Sequence, residues 1–247
     1  MKEKIYTIPV NEAYEQNCEC PLCFLERKLE EEAVEYALGA AMMEPDYRLV
    51  SNEKGYCNKH YSMLFQRPNK LSLALVLDTH LEEIRKKFSA FGNDINKLEK
   101  GTFFKKPSRE NLEKHVEKNR AKTCNCVICE KTKQTTERYI EVFFWLWKND
   151  EEFKEKLKNS KGLCIPHFTT LCEKAFSNLS HADASDFVKL IYNKQLSELD
   201  RIQEDIHRFT LKFDYRNRDM EWGTAADAPI RTIEKISGYI ITDTEEN

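Results

Sequence analysis

The sequence predicts an all-α protein that arose by tandem duplication of one helical unit, with a Cys/His metal site in each copy. Three observations support this: helix-breaking residues are rare, apolar residues recur at helical spacing, and one cysteine pattern occurs twice. Gly and Pro number only 7 each among 247 residues, and Glu, Lys and Leu, which favour helices, are frequent. This length suits one large or two modest domains.

The charge balance excludes some partners and suggests a compartment. A net charge of −3 and a pI near 6.1 give no general attraction to nucleic acid or to anionic membranes. No stretch approaches the roughly 20 apolar residues of a membrane-spanning helix, and the first residues lack the apolar centre of a signal peptide. We therefore expect a cytoplasmic protein without membrane insertion. Thiols stay reduced there, so nine cysteines are more typical of metal ligands or redox groups than of disulfides.

Eight of the nine cysteines fall within a pattern that occurs twice. C-x-C-x-x-C occurs at residues 18–23 and again at residues 124–129. G-x-C-x-x-H occurs at residues 55–60 and again at residues 162–167, and Gly55 and Gly162 are predicted to turn the chain sharply into the helix that follows. The last cysteine of the first motif and the cysteine of the second are 34 positions apart in the first copy and 35 in the second. A long-period duplication of this kind is a better guide to the architecture than any local sequence pattern.

The duplication predicts four segments along the chain. Residues 1–92 form a first metal-binding helical repeat and residues 124–215 form a second. Residues 93–123 form a polar, Lys-rich linker with a short helix near residues 108–119. Residues 216–247 form a C-terminal docking segment and an acidic tail.

Apolar stripes at helical period follow each motif and mark one face of each helix, and the run FFWLW at residues 143–147 is most simply core. After the first motif these are Leu25, Leu29, Ala33, Tyr36, Ala40 and Met43 in the first repeat, and Tyr139, Val142, Phe143, Leu146 and Trp147 in the second. After the second motif they are Leu77, Leu81, Ile84, Phe88 and Phe91, and Leu199, Ile202, Ile206, Phe209 and Phe213. A last short helix is predicted from Asp227 to Gly238, docking through Ile230, Ile233 and Ile236.

The two motifs have the spacing of metal ligands. A C-x-x-C turn brings two thiolates round one ion, and C-x-x-H at the start of a helix places its ligands on one face. Zinc takes four such donors, and Cys3His is a standard structural set. The sequence therefore predicts two zinc ions, with an iron–sulfur cluster as the alternative cofactor. The predicted ligands are Cys20, Cys23, Cys57 and His60 in one site and Cys126, Cys129, Cys164 and His167 in the other.

Two features of these sites stay open at the level of sequence. The C-x-x-C of one repeat could pair with the C-x-x-H of the other, although the nearly equal gaps favour pairing within a repeat. Cys18 and Cys124 could replace a neighbouring ligand, bridge to a second ion, or remain free thiols beside the site. Cys172 lies outside the pattern.

The segments CPLC, GYCNKHY, CVIC, GLCIPHF and FDYR…W…IRTIEKISG resemble an uncharacterised bacterial family of helical proteins with paired CxxC and CxxH motifs. The resemblance extends from Ile5 to about Gly238 and implies a metal-binding helical architecture without an established activity. Members are sometimes labelled as transporter substrate-binding proteins. This sequence has no lipobox and no two-lobed α/β pattern, so it gives that label no support.

No P-loop, Rossmann, HExxH, GxSxG or kinase signature occurs, so no enzymatic activity is assigned. The favoured hypothesis is a binding or adaptor protein with structural zinc and a protein partner on its long apolar helices. The alternative is a thiol- or metal-based redox or sensing protein in which Cys18 and Cys124 react. Nucleic-acid binding through the Lys-rich linker is least favoured because the net charge is negative. The oligomeric state is left open.

Overall fold

The computed structural model describes residues 6–99, 113, 116–117 and 125–240. Across these residues the chain forms α-helices and short 3₁₀-helices and no β-strand, so the predicted all-α fold class is confirmed. The 3₁₀-helices are Ala40–Met43, Tyr215–Asn217 and Gly223–Ala225. The α-helices are α1 (Thr7–Glu15), α2 (Pro21–Leu38), α3 (Pro45–Lys54), α4 (Asn58–Gln66), α5 (Lys70–Glu99), α6 (Val127–Asn149), α7 (Glu151–Asn159), α8 (Ile165–Asn178), α9 (His181–Lys212) and α10 (Ala228–Ser237).

The chain forms two compact units, and each unit draws on both sequence repeats. The first unit comprises Met1–Leu29 and Gln134–Asp243, and the second is formed mainly by Glu30–Lys133. The divisions fall inside α2 and α6. Each unit therefore receives the C-x-x-C motif of one repeat and the C-x-x-H motif of the other.

An aromatic cluster forms the centre of the first unit. Phe143 on α6 is fully buried and contacts the rings of Tyr14, Phe144, Phe153 and Phe187. The predicted core face of α6 is thus confirmed, because Tyr139, Val142, Phe143 and Leu146 are all buried and Trp147 packs against them. Side chains from α1, α7 and α9 complete this core.

The C-terminal helix α10 begins and ends as predicted but docks through a different face. Asp227 precedes it and Gly238, with φ of 95°, follows it. Ile230, Ile233 and Ile236 are 39%, 49% and 59% exposed, so the prediction that they dock is wrong. The buried residues of the helix are Ala228 and Lys235. A small side chain allows close approach and a buried ammonium group supplies polar bonds, so the docking does not need the isoleucines.

The core of the second unit is smaller and mainly aliphatic. Val34 of α2, Leu64 of α4, Val76 of α5 and Ile128 of α6 are almost fully buried. The predicted face of α2 is only partly correct, because the helix ends at Leu38 and Met43 beyond it is exposed.

The long helix of each repeat leaves part of its apolar stripe uncovered. On α5, Leu77, Leu81, Ile84 and Phe88 are between 36% and 71% exposed. On α9, Ile202 is buried, whereas Phe213 at the end of the stripe is exposed. The buried line of α5 instead passes through Leu73 and Val76.

The predicted linker lies mostly outside the described residues. Its first part, from residue 93, belongs to α5, which continues to Glu99. The short helix predicted near residues 108–119 falls on residues of which only 113, 116 and 117 are described, as helical. No helix in the described part of the chain combines the length and the apolar character needed to cross a membrane.

Truncation of Phe143 tests the aromatic core. Phe143→Ala removes a fully buried ring with four aromatic neighbours, so we expect the free energy of unfolding to fall by about 3–5 kcal/mol. Phe176→Ala, at a site 54% exposed in the same unit, is the matched control and should change it by less than about 1 kcal/mol. Urea unfolding followed by circular dichroism measures both. Equal losses in the two variants would contradict this core.

Candidate metal centres

Four predicted ligands converge in the first unit, in a group that we call cluster A. It comprises Cys20, Cys23, Cys164 and His167, all buried. The Nδ1 atom of His167 lies 3.5 Å from Cys20 Sγ, 3.3 Å from Cys23 Sγ and 3.1 Å from Cys164 Sγ. The Sγ atoms of Cys23 and Cys164 are 3.5 Å apart.

The other four predicted ligands converge in the second unit as cluster B. It comprises Cys57, His60, Cys126 and Cys129. The Nδ1 atom of His60 lies 3.1 Å from Cys57 Sγ, 3.3 Å from Cys126 Sγ and 3.4 Å from Cys129 Sγ. The Sγ atoms of Cys57 and Cys129 are 3.7 Å apart. His60 and Cys126 are buried, Cys57 is half-buried and Cys129 is exposed, so cluster B is the more accessible group.

The expectation that ligands pair within a repeat is wrong. The C-x-x-C of the first repeat meets the C-x-x-H of the second, and the reverse holds for cluster B. Each C-x-x-C motif leads directly into a long helix. Helix α2 begins directly after Cys20 and contains Cys23, and its 18 residues span about 27 Å at 1.5 Å per residue. The nearly equal gaps between the two motifs indicate a duplication, but they are compatible with pairing within a repeat and with pairing between repeats.

Backbone geometry places the C-x-x-H ligands at the start of α4 and α8. Cys57 and Cys164 are the N-cap residues of these helices, and Cys164 Sγ accepts a hydrogen bond from the His167 backbone N–H at 3.4 Å. Gly55 and Gly162 have φ of 68° and 75°, which favours glycine. The sequence prediction of sharp turns at both glycines is thus confirmed. A Cβ atom on Gly55 would also clash with the His80 ring.

Two carboxylates that the sequence analysis missed contact the outer nitrogens of the histidine ligands. Glu26 Oε1 lies 3.3 Å from His167 Nε2, and Glu30 Oε1 lies 3.5 Å from His60 Nε2. A carboxylate in this position fixes the ring orientation and tautomer of a ligating histidine. Both residues lie on α2, one helical turn apart. Their spacing carried no recognisable signal, because cross-repeat pairing was needed to place either histidine beside α2.

The thiols of cluster B have unequal pKa values. Burial acts to raise the pKa of Cys126, but hydrogen bonds with His60 and with the backbone of Cys129 and Cys57 lower it to about 6. Burial and the charge of Cys126 raise the pKa of Cys129 above its usual range. Burial acts to lower the pKa of His60, but its hydrogen bond with Cys126 and the nearby Glu30 carboxylate raise it to about 10. A negative charge on Cys126 is thus balanced by His60.

Cluster A shows the same division of charge. Burial acts to raise the pKa of Cys20, but hydrogen bonds with Cys164, Cys23 and His167 hold it well below its usual range. The pKa of Cys23 is raised by its hydrogen bonds with Cys164 and Cys20. Burial acts to lower the pKa of His167, but its bonds with Cys164 and Cys20 raise it to about 12. Three adjacent thiols cannot all ionise by themselves, whereas a central divalent cation favours three thiolates and a neutral imidazole.

The donor sets of both clusters fit a four-coordinate metal ion. Zinc–sulfur bonds of about 2.3 Å at tetrahedral angles place sulfur atoms roughly 3.8 Å apart. The sulfur–sulfur distances of 3.5 Å in cluster A and 3.7 Å in cluster B are close to that value. Both groups could therefore hold a metal ion through three thiolates and one imidazole.

Two cysteines of the described residues, Cys18 and Cys172, lie outside both clusters. Cys18 is half-buried and belongs to neither group of four. Burial and the neighbouring charge of Cys20 raise its pKa to about 11, which disfavours the reactive thiolate form. Cys172 is also separate and half-buried. Cys124 lies outside the described residues.

A buried lysine joins the two chain segments that supply cluster A. Lys235 on α10 is fully buried, and its Nζ donates to the backbone carbonyl oxygens of Glu19 at 2.8 Å and Lys161 at 2.6 Å. The same Nζ lies 3.1 Å from Glu19 Oε2, and that carboxylate also contacts Arg201. Glu19 adjoins Cys20, and Lys161 precedes the turn into Cys164. Lys235 thus holds both ligand-bearing segments.

The fold and the two clusters define a class: an all-helical protein with two Cys3His groups assembled across an internal duplication. The chain belongs to the family of unknown function DUF6062, which it matches over residues 1–243. Neither the curated proteins nor the solved structures contain a match to this chain. The transporter substrate-binding label finds no support, since the described residues contain no α/β lobes.

Lys235→Met tests whether Lys235 holds together the two segments that supply cluster A. Methionine keeps the stem but leaves the backbone carbonyl oxygens of Glu19 and Lys161 without this donor, and it removes a cation from beside the Glu19 carboxylate. We therefore expect a loss of about 3–5 kcal/mol in the free energy of unfolding. Lys158→Met removes a half-exposed lysine in the same unit and should cost less than about 1 kcal/mol. Chemical denaturation of the full chain measures both. A Lys235→Met protein as stable as the Lys158→Met protein would disprove the bridging role.

Proposed function

We propose that this chain is a zinc protein in which one zinc ion in each cluster holds together distant chain segments, and that it serves as a binding or adaptor protein. The convergence of all eight predicted ligands into two Cys3His groups supports the proposal most directly. Each group offers four protein donors. A closed set of this kind leaves no position for a substrate, which is typical of structural zinc.

The sequence separation between the ligands supports a structural role. Cys23 and Cys164 are 141 residues apart, and Cys57 and Cys129 are 72 apart. Ordering such long intervening loops costs conformational entropy, and a metal that binds only the assembled site contributes its binding energy to folding. Zinc would therefore stabilise the cross-repeat pairing as well as the local turns.

Histidine ligation favours zinc over an iron–sulfur cluster. Each group has one imidazole directed at three sulfurs, and a carboxylate contacts the outer nitrogen of that imidazole. This arrangement is common around zinc, whereas iron–sulfur clusters mostly take cysteine alone. A colourless protein would support zinc, and absorption near 400 nm would support the cluster.

The exposed isoleucines of α10 are compatible with a role in binding a protein partner. Ile230, Ile233 and Ile236 form a row left open by the docking of the helix, and rows of this kind mark candidate interaction surfaces. Reduced thiols at both clusters suit the cytoplasm.

A redox-sensing role is a second candidate, and the exposure of Cys129 favours it. Cys129 is the only exposed ligand among the eight, so an oxidant could reach cluster B first. Oxidation of two thiolates there to a disulfide, with a peroxide reduced to water and alcohol, would release the metal. The raised pKa of Cys18 disfavours its thiolate form and therefore argues against Cys18 as the thiol that reacts.

The ligand assignment predicts which thiols each substitution uncovers. Cys57→Ser should lower zinc from two ions per chain to one and leave Cys126 and Cys129 open to N-ethylmaleimide, because they share its ion. Cys20, Cys23 and Cys164 should stay protected. Elemental analysis and peptide mapping measure both effects. Exposure of Cys20 and Cys23 in place of Cys126 and Cys129 would disprove the assignment.

Two controls accompany that substitution. Cys164→Ser should give the reciprocal pattern, with Cys20 and Cys23 labelled and cluster B protected. Cys172→Ser, outside both clusters, should retain both ions. Native protein that is well folded yet binds no zinc or iron would exclude the metal proposal altogether.

The two clusters should release their metals in a fixed order. Cluster B has one exposed and one half-buried cysteine, whereas cluster A is fully buried, so a chelator should remove zinc from cluster B at least tenfold faster. Release is followed with a colorimetric chelator, and the Cys57→Ser protein identifies the fast phase by lacking it. A single phase in the native protein, or a fast phase that persists in Cys57→Ser, would contradict this order.

A further inference from the structure

In each unit, the long helix that follows the C-x-x-H motif returns past the glycine turn that precedes this motif. In the second unit α4 has 9 residues, and His80 is the eleventh residue of α5. In the first unit α8 has 14 residues, and Gln195 is the fifteenth residue of α9. Short connections make neighbouring helices of this kind antiparallel. The two polar side chains are therefore brought level with the turn at which the shorter helix begins.

Each of these side chains packs closely against the turn glycine. A Cβ atom on Gly55 would clash with the His80 ring, and one on Gly162 would lie 3.1 Å from Gln195 Oε1. The glycines thus permit a positive φ and also leave room for a polar side chain of the long helix. His80 stands 25 positions after Gly55, whereas Gln195 stands 33 positions after Gly162. Because these spacings differ, the equivalence of the two side chains is visible only in the folded chain.

Gln195 binds both backbone groups of the residue that precedes Cys164. Its Oε1 accepts from the Leu163 backbone N–H at 3.0 Å, and its Nε2 donates to the Leu163 carbonyl oxygen at 2.9 Å. Gln195 is 4% exposed and Leu163 is 2% exposed. Buried backbone groups outside regular structure need such partners. The Gln195 amide therefore fixes the backbone at the point where it leads into the ligand cysteine.

His80 holds the corresponding turn of the second unit through the end of α3. Its Nδ1 lies 2.7 Å from the Asn52 carbonyl oxygen, and Nδ1 is the donor because a carbonyl oxygen only accepts. Asn52 lies in the last turn of α3, where carbonyl oxygens have no partner within the helix. The Asn52 side chain is also bound, since Thr79 Oγ1 donates to its Oδ1 at 2.7 Å. Gly55 directly follows α3, so these contacts fix the direction in which the chain enters the turn before Cys57.

We propose that Gln195 and His80 are positioning residues for the metal ligands. Each holds the turn before one C-x-x-H motif, so that the cysteine and histidine of that motif stand in place before the ion binds. Gln195 acts on cluster A and His80 acts on cluster B, and neither belongs to a group of four. Tight sites need their ligands held within about 0.5 Å of the coordinating positions, which a loose glycine turn would not provide. The inference rests on the proposed metal function.

Gln195→Met tests the positioning of cluster A. Methionine keeps the length of the side chain but removes both hydrogen bonds to Leu163. We expect cluster A to need about ten to a hundred times more free zinc for half-protection of its thiols, with cluster B unchanged. The full-length protein is titrated in zinc buffers, and N-ethylmaleimide labelling mapped by mass spectrometry reports both clusters in the same molecule. Gln203→Met, at an exposed position of the same helix, is the matched control and should alter neither cluster.

The selectivity of the loss distinguishes positioning from general destabilisation. Equal weakening of both clusters in Gln195→Met, or no weakening of cluster A, would overturn the role of Gln195. If zinc protects no thiol of the native protein, the metal proposal itself fails, whereas native affinity in the variant removes only the positioning role.

Two substitutions of His80 test cluster B independently. His80→Leu removes the donor to Asn52 and should weaken cluster B alone by about ten- to a hundredfold in the same titration. His80→Asn places an amide N–H where Nδ1–H stands and should retain most of the native affinity. Circular dichroism verifies that each variant is folded. Weakening of cluster A by His80→Leu, or equal losses in the leucine and asparagine variants, would contradict the role of His80.

Hydrogen exchange in the metal-free protein tests whether the turn is ordered before the ion binds. The Leu163 backbone N–H should exchange slowly in the native chain and about tenfold or more faster in Gln195→Met, because its acceptor is lost. The exchange rate of this amide in Gln203→Met should match that of the native chain. Rapid exchange in the native metal-free chain would show that the ion orders the turn, and the proposal would then be wrong.

Discussion

The convergence of three cysteines and one histidine, supplied half by each repeat, is the constraint on which the rest of the structure depends. In both clusters the C-x-x-C motif lies at the beginning of a long helix and the C-x-x-H motif begins another helix. Each set is completed by the C-x-x-H motif of the opposite repeat. The composition of the two compact units follows from this exchange, because each combines a motif from one repeat with the matching motif from the other.

Polar contacts beside the clusters hold together the motifs that come from different repeats. Lys235 holds the backbone on both sides of cluster A, and a backbone hydrogen bond from Val127 to Gly55 joins the corresponding segments beside cluster B. A lysine buried without partners would be costly, but this one has three oxygen neighbours, including the Glu19 carboxylate. The first unit thus uses its C-terminal helix to secure a junction that the second unit secures through backbone atoms.

The sequence was sufficient to predict the helical fold class, the eight residues that converge in the two Cys/His groups, and the glycine turns, because each depends on local spacing. The partnership between motifs was not local, because nearly equal gaps fit both pairings and only the folded chain shows which motifs converge. Glu26 and Glu30 were missed for the same reason. Periodicity revealed the apolar stripe of α5 but not that most of it is exposed. Periodicity likewise revealed the row formed by Ile230, Ile233 and Ile236, but this row is exposed and Lys235 supplies the docking contact of the helix.

The cross-repeat exchange also bears on how the chain is made and on what a half of it can do. During synthesis the Cys20–Cys23 pair emerges from the ribosome long before Cys164, so cluster A stays incomplete until about two thirds of the chain has been translated. Non-local contacts of this kind slow folding. A single repeat expressed alone would carry one C-x-x-C and one C-x-x-H, each without the motif of the other repeat with which it converges in this chain. It could then complete a group of four only by exchanging motifs with a second molecule of itself, as domain-swapped dimers do.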